Sequence, residues 1–190
     1  MTKQLKDFHH YKGDELTRYE KVERKVIELI FTSDIPDEER EDSKFFEFVH
    51  AAGCMDIGRV LAQKRNLNTD VASVACILHD ISTIVSGTYK DHAKLGAEIA
   101  KRILHEVGGF SQEETDTITQ AIAHHSEKEI HSDDPYIELV KDADTFECSL
   151  YKNAEGFYRL HKAPDIFEEY VKRVKKVREE LGLDPNQVWR

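Results

Sequence analysis

At 190 residues the chain is long enough for one hydrophobic core and short for two independent ones. Its 27 basic against 37 acidic residues leave a formal charge of −10, which argues against docking on nucleic acid or an anionic membrane, although a bound metal would reverse the local field for a small anion. The polar beginning MTKQLKDFHH holds no apolar signal segment, and no run approaches the roughly 20 apolar residues of a bilayer span. Cys54, Cys76 and Cys148 are an odd, widely spaced set with no C-x-x-C pair, so neither a disulfide framework nor a zinc knuckle is expected. The expectation is one cytoplasmic globular domain over residues 1–190 with reduced thiols.

The apolar periodicity is helical nearly throughout. Tyr19, Val22, Val26, Leu29 and Ile30 mark a first amphipathic helix that ends in SDIPDEERED. A second runs from about Ser43 to Lys64, with Phe46, Val49, Gly53, Ile57, Val60 and Leu61 on one face. A third starts near Thr69, capped by Asn68 or Thr69, and carries Val71, Val74, Ala75 and Leu78 into His79. From about Asp91 to Val107, Leu95, Ile99, Ile103 and Leu104 share a face before Gly108-Gly109 stops the helix. Ser111 and Glu114 have capping-box spacing for the next, whose inner residues are Ile118, Ala121 and Ile122. Pro135 suits a first helical turn leading to Ile137, Val140 and Ala143. The last helix starts near Pro164 and aligns Phe167, Tyr170, Val171, Val174 and Val177 before Gly182; its charged run EYVKRVKKVREE reads as a solvated face. Trp189 packs either back on the domain or across an oligomer interface. Strand alternation is nowhere sustained, so the fold class expected is all-α, with about six to eight helices.

Placed on those helices, several ionisable groups fall on apolar faces. His50 lies four residues after Phe46, His79 four after Ala75, His125 four after Ala121 and Asp144 four after Val140, while His92 shares a face with Leu95, Gly96 and Ile99. A single imidazole in such a place is usually satisfied by a carbonyl or a water. Burying the whole set unpaired would cost roughly 2 to 7 kcal/mol per polar group, whereas one or two divalent cations would pair all of them. His9-His10 reads as a frayed terminus, and His105, His131 and His161 as surface residues.

His50, then His79-Asp80, then Asp144 in KDADTFE, resembles the ordered H, HD, D signature of the HD-domain metal-dependent phosphohydrolases. HAKLGAEIA, beginning at His92, and AIAHHSE, around His125, resemble the extra histidines of branches that hold a second metal, commonly iron. The resemblance runs from about residue 46 to 150. It implies a compact multi-helix HD-domain bundle, with an N-terminal and a C-terminal helix packed on core motifs 46–150. It also implies that His50, His79, Asp80 and Asp144 hold one metal and that Asp80, His92 and His125 hold a second, with Asp80 as the bridge. Asp144 is favoured over Asp142 because relatives present the aspartate after alanine. His124 stays open as a further ligand, although SEKEIHSDDPY after it lacks the GYP signature of the cyclic-dinucleotide branch.

The implied activity is hydrolysis of a phosphate ester or phosphoanhydride, in a nucleotide or dinucleotide, by a metal-activated hydroxide with His79 and Asp80 as catalytic residues. One or two divalent ions per chain (Fe, Mn, Mg, Ni, Co or Zn) would serve. Lys90, Lys94 and Lys141 flank the implied ligands and are candidates for the substrate phosphate. Relatives often carry a charged residue shortly after the HD pair; here ISTIVS follows, and ISTIVSGTYK reads as a lid segment. Two alternatives stand beside this reading: a non-catalytic HD module that binds a nucleotide or a partner, and a di-iron oxygenase on the same scaffold. The partner expected is a small phosphorylated substrate, with no nucleic acid or membrane, for a monomer or homodimer.

Overall fold

In the computed structural model, which describes residues 16–190, the chain is all-helical, with no strand among the described residues. α1 (Arg18–Thr32) opens with Glu20 accepting from the Thr17 backbone N–H at 2.7 Å, and sends Val22, Val26 and Ile30 into the core. A short 3-10 turn (Asp37–Glu39) leads to α2 (Lys44–Lys64), where the Ser43 hydroxyl accepts from Phe46 N–H. α3 (Thr69–Ile77) is capped by Asn68 and is buried at every residue from Val71 to Ile77. α4 (Ile81–Ser86), α5 (His92–Val107), α6 (Gln112–His124), α7 (Pro135–Ser149), α8 (Ala154–His161) and α9 (Pro164–Leu181) complete the order. α3 lies at the centre, against α1, α2, α6 and α7.

α2 meets α3 so closely at Gly58 that a Cβ there would stand 2.4 Å from Cys76 Sγ. That approach turns the buried stripe of α2 by about one position. Glu47, His50, Ala51, Cys54, Gly58 and Leu61 face inward, Phe46, Val49 and Ile57 are half-buried, and Val60 is exposed. On α5 the same preference for small residues puts Ala93, Gly96 and Ala100 inside and leaves Leu95 exposed. Periodicity weights bulky apolar residues, whereas close helix contacts select small ones, so the expected stripes are slightly misphased.

The expected third helix breaks early. α3 ends at Ile77, and His79-Asp80 form a turn before α4, with the Asp80 carbonyl accepting from Thr83 and Ile84 N–H. By length and composition Thr69–Ser86 would suffice to cross a membrane, but this turn divides it and 78% of it is buried within the bundle. Ile81 to Ile84 are buried as well. The ISTI part of the segment expected to be a lid is therefore core, because Ile81 and Ile84 are buried beside the turn that carries the HD pair, while Val85 and Ser86 are exposed.

Behind α7, Asp142 is fully buried and accepts from Arg65 and Arg173, each at 2.8 Å, and from Lys176 at 2.7 Å. Arg173, inside the run expected to be solvated, is only 3% exposed and also pairs with Glu138. Long cationic side chains thus seal the α7–α9 seam. Trp189 packs back on the domain, its ring stacked on Phe167 with centroids 5.7 Å apart.

Candidate metal centre

Five separate pieces of the fold converge on one point. α2 supplies His50, the α3–α4 turn His79 and Asp80, the first residue of α5 His92, the residue after α6 His125, and the middle of α7 Asp144. α5 packs against that turn at Gly96, where an added Cβ would be in contact with the His79 carbonyl at 3.4 Å. The Nε2 atoms of His50 and His79 are 3.1 Å apart, and Asp80 Oδ2 lies 3.2 Å from the second and 3.7 Å from the first. Asp144 Oδ1 completes this half, 3.5 Å from His50 Nε2. On the other side, the Nε2 atoms of His92 and His125 are 3.2 Å apart, and Asp80 Oδ1 is 3.5 and 3.2 Å from them. Asp80 thus presents one oxygen to each pair of imidazoles.

The other ring nitrogen of every one of these histidines is committed. Nδ1 of His79, His92 and His125 donates to the carbonyls of Cys76, Tyr89 and Ile122 at 2.7, 2.9 and 2.7 Å, each three residues upstream. His50 Nδ1 donates to Glu147 Oε2 at 2.6 Å. A carbonyl only accepts, so Nδ1 carries a proton in the three rings bonded to carbonyls, and all four Nε2 atoms face inward. Burial lowers the His79 imidazole but the Asp80 charge raises it overall, so without a metal its charged form is favoured; a divalent cation would take that place, bound through the four Nε2 atoms and the two carboxylates. Asp80 Oδ1 agrees, being buried without a hydrogen-bond partner. Metal–ligand bonds of about 2.0–2.2 Å place neighbouring donor atoms roughly 3.0–3.5 Å apart, which the spacings above match. The residues present fit one or two divalent ions.

Electrostatics separate the members. Burial holds the His125 imidazole down at about 4, so it is neutral at pH 7. Burial alone would raise Asp80, but His79 and His125 hold its carboxyl well below the ordinary range. Beside the centre, burial and then the Asp80 charge push Glu47 up to about 7, against the opposing effects of the Thr83 hydroxyl and Arg40. A thiol also touches the site, with Cys148 Sγ 3.5 Å from Asp144 Oδ1. His50, Cys54, His79 and Asp144 likewise form a group close enough to hold a metal, as do His79, Asp80 and His125. All three cysteines are free.

The centre forms the floor of a cavity of about 840 Å³. The cavity wall includes the aromatic rings of Phe46, Tyr151, Phe157, Tyr158 and Tyr170, the ammonium groups of Lys128, Lys152 and Lys162, the His161 ring, and Glu41, Asp42 and Tyr89. Of the residues singled out from sequence, His124 does not line this cavity; it pairs instead with Glu127 at 2.8 Å. Asp142 lies in the α7–α9 seam, where three cations occupy it. Lys90 and Lys94 are exposed and outside the lining, and the Lys141 ammonium is buried against the Ile130 carbonyl at 2.6 Å. Lys90 and Lys94 project outward from the start of α5, and Lys141 leans back along its own helix, so none of the three reaches the cavity. Sequence reasoning missed Lys128, Glu147, Tyr89 and the aromatic wall. Only the phase of Glu147, three residues after Asp144, could have flagged one of them.

A helical bundle that brings imidazoles and carboxylates from five segments onto the floor of one cavity defines an all-α protein whose core has the donor groups to hold a metal. The chain belongs to the HD domain family, which it matches over residues 48–148. Among solved structures it is similar to a "predicted HD superfamily hydrolase" from an uncultured Thermotogales bacterium. The two are 20% identical with a TM-score of 0.51, over 84% of this chain and 88% of that one, a likeness of fold. No curated protein matches the chain.

Proposed function

We propose that this HD-domain protein is a metal-dependent phosphohydrolase that cleaves a phosphate ester or phosphoanhydride of a nucleotide or dinucleotide. One observation carries the reading: each oxygen of Asp80 faces a pair of imidazoles whose Nε2 atoms are fixed inward, at the floor of an open cavity. His50, His79, Asp80 and Asp144 would hold one ion, and Asp80, His92 and His125 a second. When bound, such ions supply Lewis acidity and a water acidified toward neutrality. The chain's own part is to orient: four anchored Nδ1 atoms hold the imidazoles rigid, and Asp80 lies where it can orient a nucleophilic water and take its proton.

The cavity favours a catalytic over a purely structural centre, because a structural metal site is closed by protein donors whereas this one opens onto about 840 Å³. Its aromatic wall suits a planar base, and Lys152 and Lys162 suit a phosphate tail. Free cysteines agree with a reducing, cytoplasmic setting. The deciding experiment combines metal analysis of fresh protein with hydrolysis of an aryl phosphate and a nucleotide panel in Mn²⁺ or Fe²⁺. Two metals per chain and phosphate release that His79→Ala abolishes are expected. Activity untouched by His79→Ala sinks the assignment, and oxygen uptake without phosphate release would favour the oxygenase.

A further inference from the structure

One cation bonded to the centre belongs to no helix. Lys128 lies in the turn after α6, is 2% exposed and lines the cavity. Its ammonium donates to the His125 carbonyl at 2.7 Å and to Asp144 Oδ2. Its own carbonyl accepts from Arg173 Nε at 2.8 Å, so both ends of the residue are held. Asp144 in consequence divides its two oxygens, with Oδ2 on the lysine and Oδ1 toward His50 and His79. An ammonium carries three N–H donors, and two are used.

A phosphoryl group drawn to this floor would meet the carboxylates of Asp80 and Asp144, and Glu41 and Asp42 also line the cavity. Lys152 stands exposed, and Lys162 lies over the Tyr170 ring at 5.6 Å, both on the α8 side. Among the described residues, Lys128 is the lysine whose ammonium is bonded to a member of the donor cluster. We propose that Lys128 is a catalytic residue. Its remaining N–H binds a non-bridging oxygen of the substrate phosphoryl group, while its other bonds keep Asp144 Oδ1 turned toward the imidazoles. This rests on the phosphohydrolase reading and adds to it the group that neutralises the phosphoryl charge from the protein side.

The test compares wild type with Lys128→Gln and Lys128→Ala, reading metal content, thermal unfolding, binding of inorganic phosphate to the metal-loaded protein by calorimetry, and hydrolysis. The Gln amide can still donate to Asp144, so that variant is expected to stay folded and keep its metal. Its phosphate affinity should fall roughly 10- to 100-fold, the range for a hydrogen bond to a charged group. Ethylammonium should restore phosphate binding and hydrolysis to Lys128→Ala. Unchanged phosphate affinity in a metal-loaded Gln variant overturns the proposal. So does ethylammonium that restores the fold and metal of Lys128→Ala without restoring phosphate binding, since Lys128 would then be only a counter-ion for Asp144. Wild type that hydrolyses phosphate esters alongside unaltered Lys128 variants sinks this inference alone. Wild type that hydrolyses nothing sinks the phosphohydrolase reading, and the inference with it.

Discussion

Asp142 and Asp144 sit two residues apart on α7 and face opposite surroundings. Behind the helix, Asp142 is closed in by Arg65, Arg173 and Lys176. In front, Asp144 meets a single ammonium and the Nε2 sides of two imidazoles, at the floor of the cavity. Both clusters are buried and rich in charge. The rear one pairs both oxygens of Asp142 with cations and joins α2, α7 and α9, although Arg173 Nη2 has no partner; the front one leaves Asp80 Oδ1 bare. A buried carboxylate already matched by cations holds a fold together, whereas one that lacks a cation is suited to bind one.

The widest separation should come from Asp80→Asn. Hydrolysis and metal content are expected to fall to the blank, with a stability loss of only about 1–2 kcal/mol in chelator-treated protein. Asp142→Asn should do the reverse, costing about 3–5 kcal/mol in urea unfolding, since it strands buried cations. Metal should still bind to whatever remains folded. Equal stability losses in the two variants would erase the contrast.

The pH response should also split between the regions. Glu47, raised from 4.5 to about 7, is protonated more readily in the folded chain. Its contribution is therefore full below about pH 4.5 and lost as pH rises through 7, on the order of 2–3 kcal/mol in metal-free protein. Glu47→Gln should flatten that slope between pH 4.5 and 7. Glu138 behaves oppositely: burial would raise it, but Arg173 holds it below 4.5. Its contribution is present above pH 4.5 and disappears as the solution is acidified past that point. The smallest effect is expected from Glu147→Gln, which weakens the anchor on His50 Nδ1 and should lower metal affinity about 10- to 100-fold without altering the seam. Calorimetric titration with Mn²⁺ would measure it.

Much of the architecture was legible from apolar spacing. The long helices and the caps at Asn68 and Ser111 follow from local rules that operate within a turn or two. α4 and α8 were not legible as separate elements. The first merges with α3 into one apolar run, and the second is a short helix with an exposed, mixed surface that periodicity does not distinguish from a loop. The histidines that meet at the cavity could be picked out because they interrupt apolar faces in a fixed order. Lys128 could not, because the turn that holds it has no period.

The sequence by itself determined the helical class, the chain order of the imidazoles and carboxylates, and the negative charge that disfavours large polyanions, since these depend on residue type and spacing alone. The sequence already favoured Asp144 over Asp142; only the tertiary structure decided what occupies Asp142, which lysine stands beside the imidazoles, and which nitrogen of each imidazole faces inward. Those outcomes depend on contacts between residues distant in the chain: Arg173 and Lys176 occupy Asp142 from α9, Glu147 anchors His50 from α7, and α5 packs at Gly96 against the turn at His79. Helical phase can turn a side chain toward the interior, but its partner there is set by how the helices pack.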